Sequence, residues 1–295
     1  MILGGFGLWL GSVDVCIGYP CENDPGPAKV IGAPSWSPDG AALVFHVKVG
    51  LESEIYRVDA DGGDLEQLTS EGGNTRSPAW SPDGRRIAFS RSRTDFTSFG
   101  LYVANADGSG PTPLHVGAAA DPTWSPDGKR IGFVTGGLAG VGRLATVAAN
   151  GRSRRRLAQR RAENPAWSPS GALIAFSRGV NAFGDPDGSV SVVRADGRGR
   201  RRLVIRKASD PTWSPDGRLL AVSSVSRGGI FVVPIAGGRP RRLPIKLPGK
   251  LRGVLDLAWS PAGRRIAFVT RQGLYVAEID GSGVRLVAGV EDAQT

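Results

Sequence analysis

Short apolar runs alternate along this chain with clusters of Gly, Pro, Asp and Ser, and no stretch keeps the roughly 3.6-residue spacing of a helical face. Arg85-Arg86-Ile87-Ala88-Phe89-Ser90 has an apolar centre suited to a strand packed between two layers, and a polar segment from Arg91 to Gly100 follows it. Leu101-Tyr102-Val103-Ala104-Asn105 reads as the next strand and Ala106-Asp107-Gly108-Ser109-Gly110 as a turn. Pro111-Thr112-Pro113-Leu114-His115 then opens a shorter, more polar strand. Upstream, the extended segment Ser77-Pro78-Ala79-Trp80-Ser81 runs into Pro82-Asp83-Gly84. There Pro presets φ, Asp accepts backbone hydrogen bonds and Gly supplies the left-handed conformation that reverses the chain. The pattern predicts four antiparallel strands.

The same pattern recurs. Trp36, Trp80, Trp124, Trp167, Trp213 and Trp259 are separated by 44, 44, 43, 46 and 46 residues, and each is followed by Ser-Pro, then Asp, Ser or Ala, then Gly. A sheet of four short strands with apolar residues on both faces cannot bury itself alone, so the copies must stack around an axis. The expectation is an all-β, six-bladed β-propeller of four-stranded antiparallel blades, with each repeated Trp packed between neighbours. With 43 Gly, 21 Pro and 40% hydrophobic residues the chain is too apolar for disorder and too punctuated for long helices. Ser170 and Ala262 replace the Asp found at 39, 83, 127 and 216, which makes that Asp a turn residue rather than an obligatory ligand.

W-S-P-D-G followed by a strand such as Arg-Arg-Ile-Ala-Phe, then Leu-Tyr-Val and an Asp-Gly turn, resembles the TolB-like β-propeller repeat, the PD40 class of WD40-like repeats. The resemblance covers residues 33 to about 290. It implies a bacterial binding module working outside the cytoplasm, in the periplasm, in the cell envelope or as a secreted protein. The domain expected is 33–295, with repeats starting near 33, 77, 121, 164, 210 and 256. Residues 1–32 contain Gly7-Leu8-Trp9-Leu10-Gly11, similar to Gly100-Leu101-Tyr102-Val103-Ala104, so they read as a half-repeat or a segment closing the ring. A seventh or incomplete extra blade is the alternative. Cys16 and Cys21 lie in this segment, either as a small disulfide loop or as two free thiols. The third repeat departs from the pattern, since Gly142 to Val147 is a weak third strand.

A formal charge of +10, from 37 Lys and Arg against 27 Asp and Glu, favours anionic partners. The preference for Arg is equally explained by a high-GC genome. Arg154, Arg155 and Arg156, then Arg200, Arg201 and Arg202, align with the outermost strands of their blades. There they either discourage edge-to-edge pairing or form a rim for an anionic polymer. Without interleaved exposed aromatics, specific nucleic-acid binding is not expected.

Catalytic signatures are sparse. His46 and His115 stand in different repeats without a triad motif, and no zinc helix or nucleophile elbow is present, so no catalytic residue, metal ligand or cofactor is assigned. The selective feature lies three residues before each repeated Trp, at Ala33, Ser77, Asp121, Asn164, Asp210 and Asp256. These positions should begin the innermost strands and ring one mouth of the central channel, where polar side chains are solvated. Either they bind a cation or the basic end of a peptide, or each caps the turn into its strand. The loops between second and third strands, Val47 to Glu54 among them, should share that face. The reading is a monomeric, non-enzymatic scaffold that binds a protein or peptide, without a transmembrane segment. A metal-dependent hydrolase or lyase at Asp121, Asn164, Asp210 and Asp256 and an anionic-polymer binder are the alternatives.

Overall fold

Each W-S-P-D-G turn is closed by its own side chains. The Ser37, Ser81, Ser125 and Ser214 hydroxyls donate to Asp39, Asp83, Asp127 and Asp216 at 2.5–2.6 Å. Each Asp also accepts from the backbone N–H two residues on, at Ala41, Arg85, Lys129 and Arg218. In the fourth repeat Ser170 substitutes, 3.1 Å from Ser168. In the sixth, Ser260 alone accepts the Arg265 N–H. The Asp is therefore a turn-closing group, and it is lost where a hydroxyl or the backbone suffices.

The turns join strands into blades. The computed structural model describes residues 29–92, 99–136, 142–160, 162–178, 189–224, 228–246 and 254–290. Residues 1–28, with Trp9, Cys16 and Cys21, lie outside the described residues, as do the expectations placed on them. The described residues form 24 strands, four to a blade in six antiparallel blades. The innermost strands are Lys29–Trp36, Asn74–Trp80, Ala119–Trp124, Glu163–Trp167, Ala208–Trp213 and Leu257–Trp259. Blades one and two are linked into one sheet by a single parallel bridge, Ser53 to Asn74. The third strand of blade three, weak in sequence, is a full one: Arg143–Ala148 pairs along its length with Arg130–Thr135 and buries Leu144, Ala145, Thr146 and Val147. Val47 to Glu54, expected as a variable loop, is instead two strands joined at Gly50 and Leu51.

The core lies between blades in six clusters, one at each junction. Blade six packs on blade one through Ala267, Val269 and Val276 against Trp36, Phe45 and Val58. Arg265 and Arg285 donate to the carbonyls of Gly40 and Ala60 across that junction. The six Trp side chains take two alternating settings. Trp36, Trp124 and Trp213 are buried and donate through Nε1 to Ala258, Ala79 and Ala166 of the preceding blade at 3.0–3.1 Å. Trp80 and Trp259 are half-buried and donate to Gly84 and Gly263 in their own turns, while Trp167 Nε1 is buried without a partner among the described residues. The blades thus form three unlike pairs.

The Asp-Gly turns after the third strands press against the preceding blade. A Cβ on Gly108, whose φ is +84, would sit 2.1 Å from the Leu68 carbonyl oxygen in blade one. Gly108→Ala is expected to lower the unfolding free energy by about 2 kcal/mol or more in urea titration. Gly72→Ala is the control, at φ +70 with nothing within 4 Å of the new Cβ, and should cost about 1 kcal/mol.

Candidate functional site

The six positions three residues before each Trp converge on one channel of about 380 Å³, which their prolines and His46 also line. Five of them lie inside the innermost strands rather than at their starts, while Asp256 immediately precedes its strand, Leu257–Trp259. Ala33, Ser77, Asp121, Asn164 and Asp210 have φ of 49, 52, 52, 47 and 51°, and each precedes a Pro. The ladder to the second strand slips at each of these sites. An extra residue in a β-bulge leaves the ladder and re-aims its side chain, here into the channel. Asp and Asn tolerate the left-handed conformation better than most residues, so backbone geometry accounts for part of the residue choice. Asp256 is different: it precedes Leu257, not Pro, and is not left-handed. Conformation does not explain the carboxylate there.

Each ring residue bonds to the equivalent position of a neighbouring blade. Ser77 Oγ donates to Asp121 Oδ1 at 3.1 Å, the Asn164 N–H donates to the Asp121 carboxylate, and Asn164 Nδ2 donates to Asp210 Oδ1. Across the closing junction the Ala33 N–H donates to Asp256 Oδ2 at 3.0 Å. Asp210 also accepts from Ser209 at 2.6 Å and Ser223 at 2.9 Å. The side chains are not freely solvated as expected from sequence. Asp210 is only 9% exposed, and Asp121, Asn164 and Asp256 are half-buried. Ser209 and Ser223 went unrecognised in the sequence because serine in a strand has no distinctive spacing.

Burial leaves these carboxylates poorly solvated. Desolvation, followed by the charge of Asp256, pushes Asp210 up to about 8. Desolvation also raises Asp256 and Asp121 above the usual carboxylate range. The Arg76 guanidinium opposes the rise at Asp121, whereas no cation acts on Asp210 or Asp256 among the described residues. Beside them His46 is held below its ordinary range by burial and by Arg76 and Lys48, and its Nδ1 lacks a partner among the described residues. Among the described residues no three His, Cys, Asp or Glu side chains stand close enough to hold a metal ion.

The arginine rim is partly committed elsewhere. Arg154 donates to the Val116 carbonyl at 2.6 Å and lies over the Phe133 ring, and Arg201 donates to Ile235 of the next blade. Arg155, Arg156, Arg200 and Arg202 are exposed or at the edge of the outer strands. These strands thus carry blade-to-blade latches as well as surface charge. Among the described residues no helix is long and apolar enough to cross a membrane.

Comparison with known proteins rests on the same repeats. The family model of the TolB beta propeller domain matches residues 27–215, and that of the lipoprotein LpqB beta-propeller domain matches residues 156–293. No curated protein matches the chain. Among solved structures, a protein assigned as TolB from Agrobacterium tumefaciens superposes with a TM-score of 0.63 at 22% identity, covering 80% of this chain and 87% of that one. TolB from Acinetobacter baumannii gives 0.64 at 19% identity, covering 86% of this chain and 62% of that protein, so this chain spans less than two thirds of its length. An oligogalacturonate lyase in complex with manganese gives 0.60 at 17% identity, covering 88% and 78%. Identities this low show the fold alone. The repeat, the blade construction and a family model matching more than half of the residues together establish that this chain belongs to the TolB beta-propeller family.

Proposed function

We propose that this propeller is a non-enzymatic scaffold that binds a protein or peptide by seating a basic group in the channel against Asp121, Asn164, Asp210 and Asp256, with Ser77 orienting Asp121. The supporting observation is the adjacent pair Asp210 and Asp256, buried or half-buried with no cation acting on either among the described residues. Two carboxylates in a desolvated site repel each other, and a bound ammonium or guanidinium offsets both the repulsion and the lost hydration. The net charge of +10 makes the channel a local negative site on a positive molecule, so it selects for a basic group placed inside rather than a basic surface at large.

The competing reading is a cation-dependent enzyme, prompted by the manganese-bound lyase of similar fold. The donor set does not fit, since no metal-holding group of three acidic or imidazole side chains exists among the described residues. A location outside the cytoplasm is part of this proposal, and the match to a TolB propeller family and a lipoprotein propeller family supports it. Cell fractionation tests that location.

Binding is tested by fluorescence anisotropy with a labelled arginine-rich hexapeptide. Asp256→Asn should weaken binding by roughly tenfold or more, the loss expected for one charge-assisted contact. Neutralising Arg155, Arg156, Arg200 and Arg202 together should leave it unchanged or slightly tighter. Equal affinity of the parent and Asp256→Asn would overturn the assignment.

A further inference from the structure

Beside the channel, and joined to it at Ser77 and Asp121, lies a second recess of about 300 Å³ that extends between blades two and three towards Glu163 of blade four. Its size is at the lower end of the roughly 300–1,000 Å³ usual for ligand pockets. Its lining has three chemically distinct parts, and each has unused capacity.

The first part is cationic. Arg76 leads into the bulge of blade two, and its guanidinium lies over the Phe99 ring with the carbon 5.2 Å from the ring centre. Nε donates to Asn74 Oδ1, which fixes the plane of the group. Its two terminal nitrogens have no acceptor among the described residues. A guanidinium stacked on an aromatic face and fixed at Nε presents those nitrogens as a fork for one carboxylate.

The second part is anionic. Asp121 and Glu163 both line the recess. Asp121 is held by Ser77 and the Asn164 N–H, but the Glu163 carboxylate has neither a hydrogen bond nor an ion pair among the described residues. Burial and the charge of Asp121 raise Glu163 above its usual range. An ammonium group between these two carboxylates would relieve both.

The third part is the wall. Ala118, Ala119, Ala120, Val134 and Ala162 give an apolar surface, interrupted by Ser90. Ser90 is 2% exposed and its hydroxyl has no hydrogen-bond partner among the described residues. A buried hydroxyl without a partner is costly unless a ligand or an ordered water completes it.

A carboxylate fork, a pair of carboxylates and a small apolar wall within one recess match a compact zwitterion. We propose that this recess binds a free α-amino acid with an apolar side chain, its carboxylate on Arg76, its ammonium between Asp121 and Glu163 and its side chain against Val134 and the alanines. A peptide does not fit the same description, because its terminal ammonium and carboxylate are separated by the chain. The site is distinct from the basic-group site of the channel, although Asp121 borders both.

The test is calorimetric titration with L-leucine and L-alanine, compared with N-acetyl-L-leucine and L-leucinamide. Saturable binding of at least one free amino acid is expected, and masking either end of the ligand should weaken it by roughly tenfold or more. Glu163→Gln should weaken L-leucine to the level of its N-acetyl derivative. Arg76→Lys, which keeps the charge and loses the fork, should weaken it while leaving far-ultraviolet circular dichroism unchanged. Absence of saturable heat with all twenty free amino acids would overturn the proposal, as would masked ligands that bind as tightly as the free ones. So would Glu163→Gln protein that is folded by dichroism and binds like the parent. The peptide assay reports on Asp256 and this one on Arg76 and Glu163, so either reading can fail without the other.

Discussion

Trp124→Ala is expected to lower the unfolding free energy by about 3–5 kcal/mol, a large share of the roughly 5–15 kcal/mol that stabilises a typical domain. The indole is 7% exposed, donates to the Ala79 carbonyl at 3.1 Å and lies under the Arg86 guanidinium, 4.8 Å from the ring centre. Its removal opens a cavity between blades two and three and deletes the indole hydrogen bond to the Ala79 oxygen. Trp80→Ala should cost about half as much, because that indole is half-buried and its hydrogen bond goes to its own turn at Gly84. Urea midpoints at constant slope measure both changes. Equal losses would show that the two Trp settings are not energetically distinct. Trp124→Phe keeps most of the buried area and should lose about 1 kcal/mol, the hydrogen bond alone.

That inequality is written in the sequence one residue before each Trp. Ser35, Thr123 and Thr212 precede the buried Trp residues, whereas Ala79, Ala166 and Ala258 precede the others. The hydroxyls of Ser35, Thr123 and Thr212 accept from the backbone N–H of Trp80, Trp167 and Trp259 in the next blade. The alanine carbonyls at 79, 166 and 258 instead accept the indole Nε1–H of Trp124, Trp213 and Trp36, again from the blade that follows. A period of two repeats is therefore superimposed on the six-fold motif, and reading each repeat as equivalent hides it. The repeat itself was legible because Trp, Pro and Gly serve local geometry that recurs without change.

The candidate site was legible only in position. The offset of three residues before Trp located the ring, since any side chain at that bulge must point towards the axis. Its solvation was not legible, because burial of Asp210 depends on Ser209, Ser223 and Asn164 converging from two blades. Nor was the contrast between Asp256 and the five bulge residues, which depends on a backbone angle. Arg76 and Glu163 are illegible for a related reason: each is one charged residue among many, and only the ring geometry brings both to the lining of one recess. Their sequence signal is adjacency to ring positions 77 and 164.

The ring also sets the pH dependence of the unliganded protein. Asp210 ionises near its ordinary pKa when unfolded but near 8 when folded, so between about pH 4 and 8 the folded state holds a proton that the unfolded state has released. Its contribution to stability is fully present below the unfolded pKa and is lost as pH rises towards 8, at up to about 1.4 kcal/mol per pH unit. Asp256, Asp121 and Glu163, also raised by burial, act in the same direction. His46 acts oppositely: its depressed folded pKa means that the unfolded state takes up the proton first as pH falls below about 6.5. The two effects compete below that pH, and from about 6.5 to 8 the carboxylates act alone, so stability should fall across that interval. Asp210→Asn retains the shape and hydrogen-bonding oxygen and removes the titration. The variant should match the parent near pH 4 and exceed it by a few kcal/mol at pH 8, read from urea midpoints at each pH. A parent whose stability is flat from pH 6.5 to 8, or a variant less stable than the parent at pH 8, would refute the buried-carboxylate account of the ring. The same measurement with the arginine-rich hexapeptide present links the site to its occupant. A bound guanidinium favours the ionised form of Asp210 and Asp256, so the peptide should stabilise the parent more at pH 8 than at pH 5 and should largely lose that difference in Asp210→Asn.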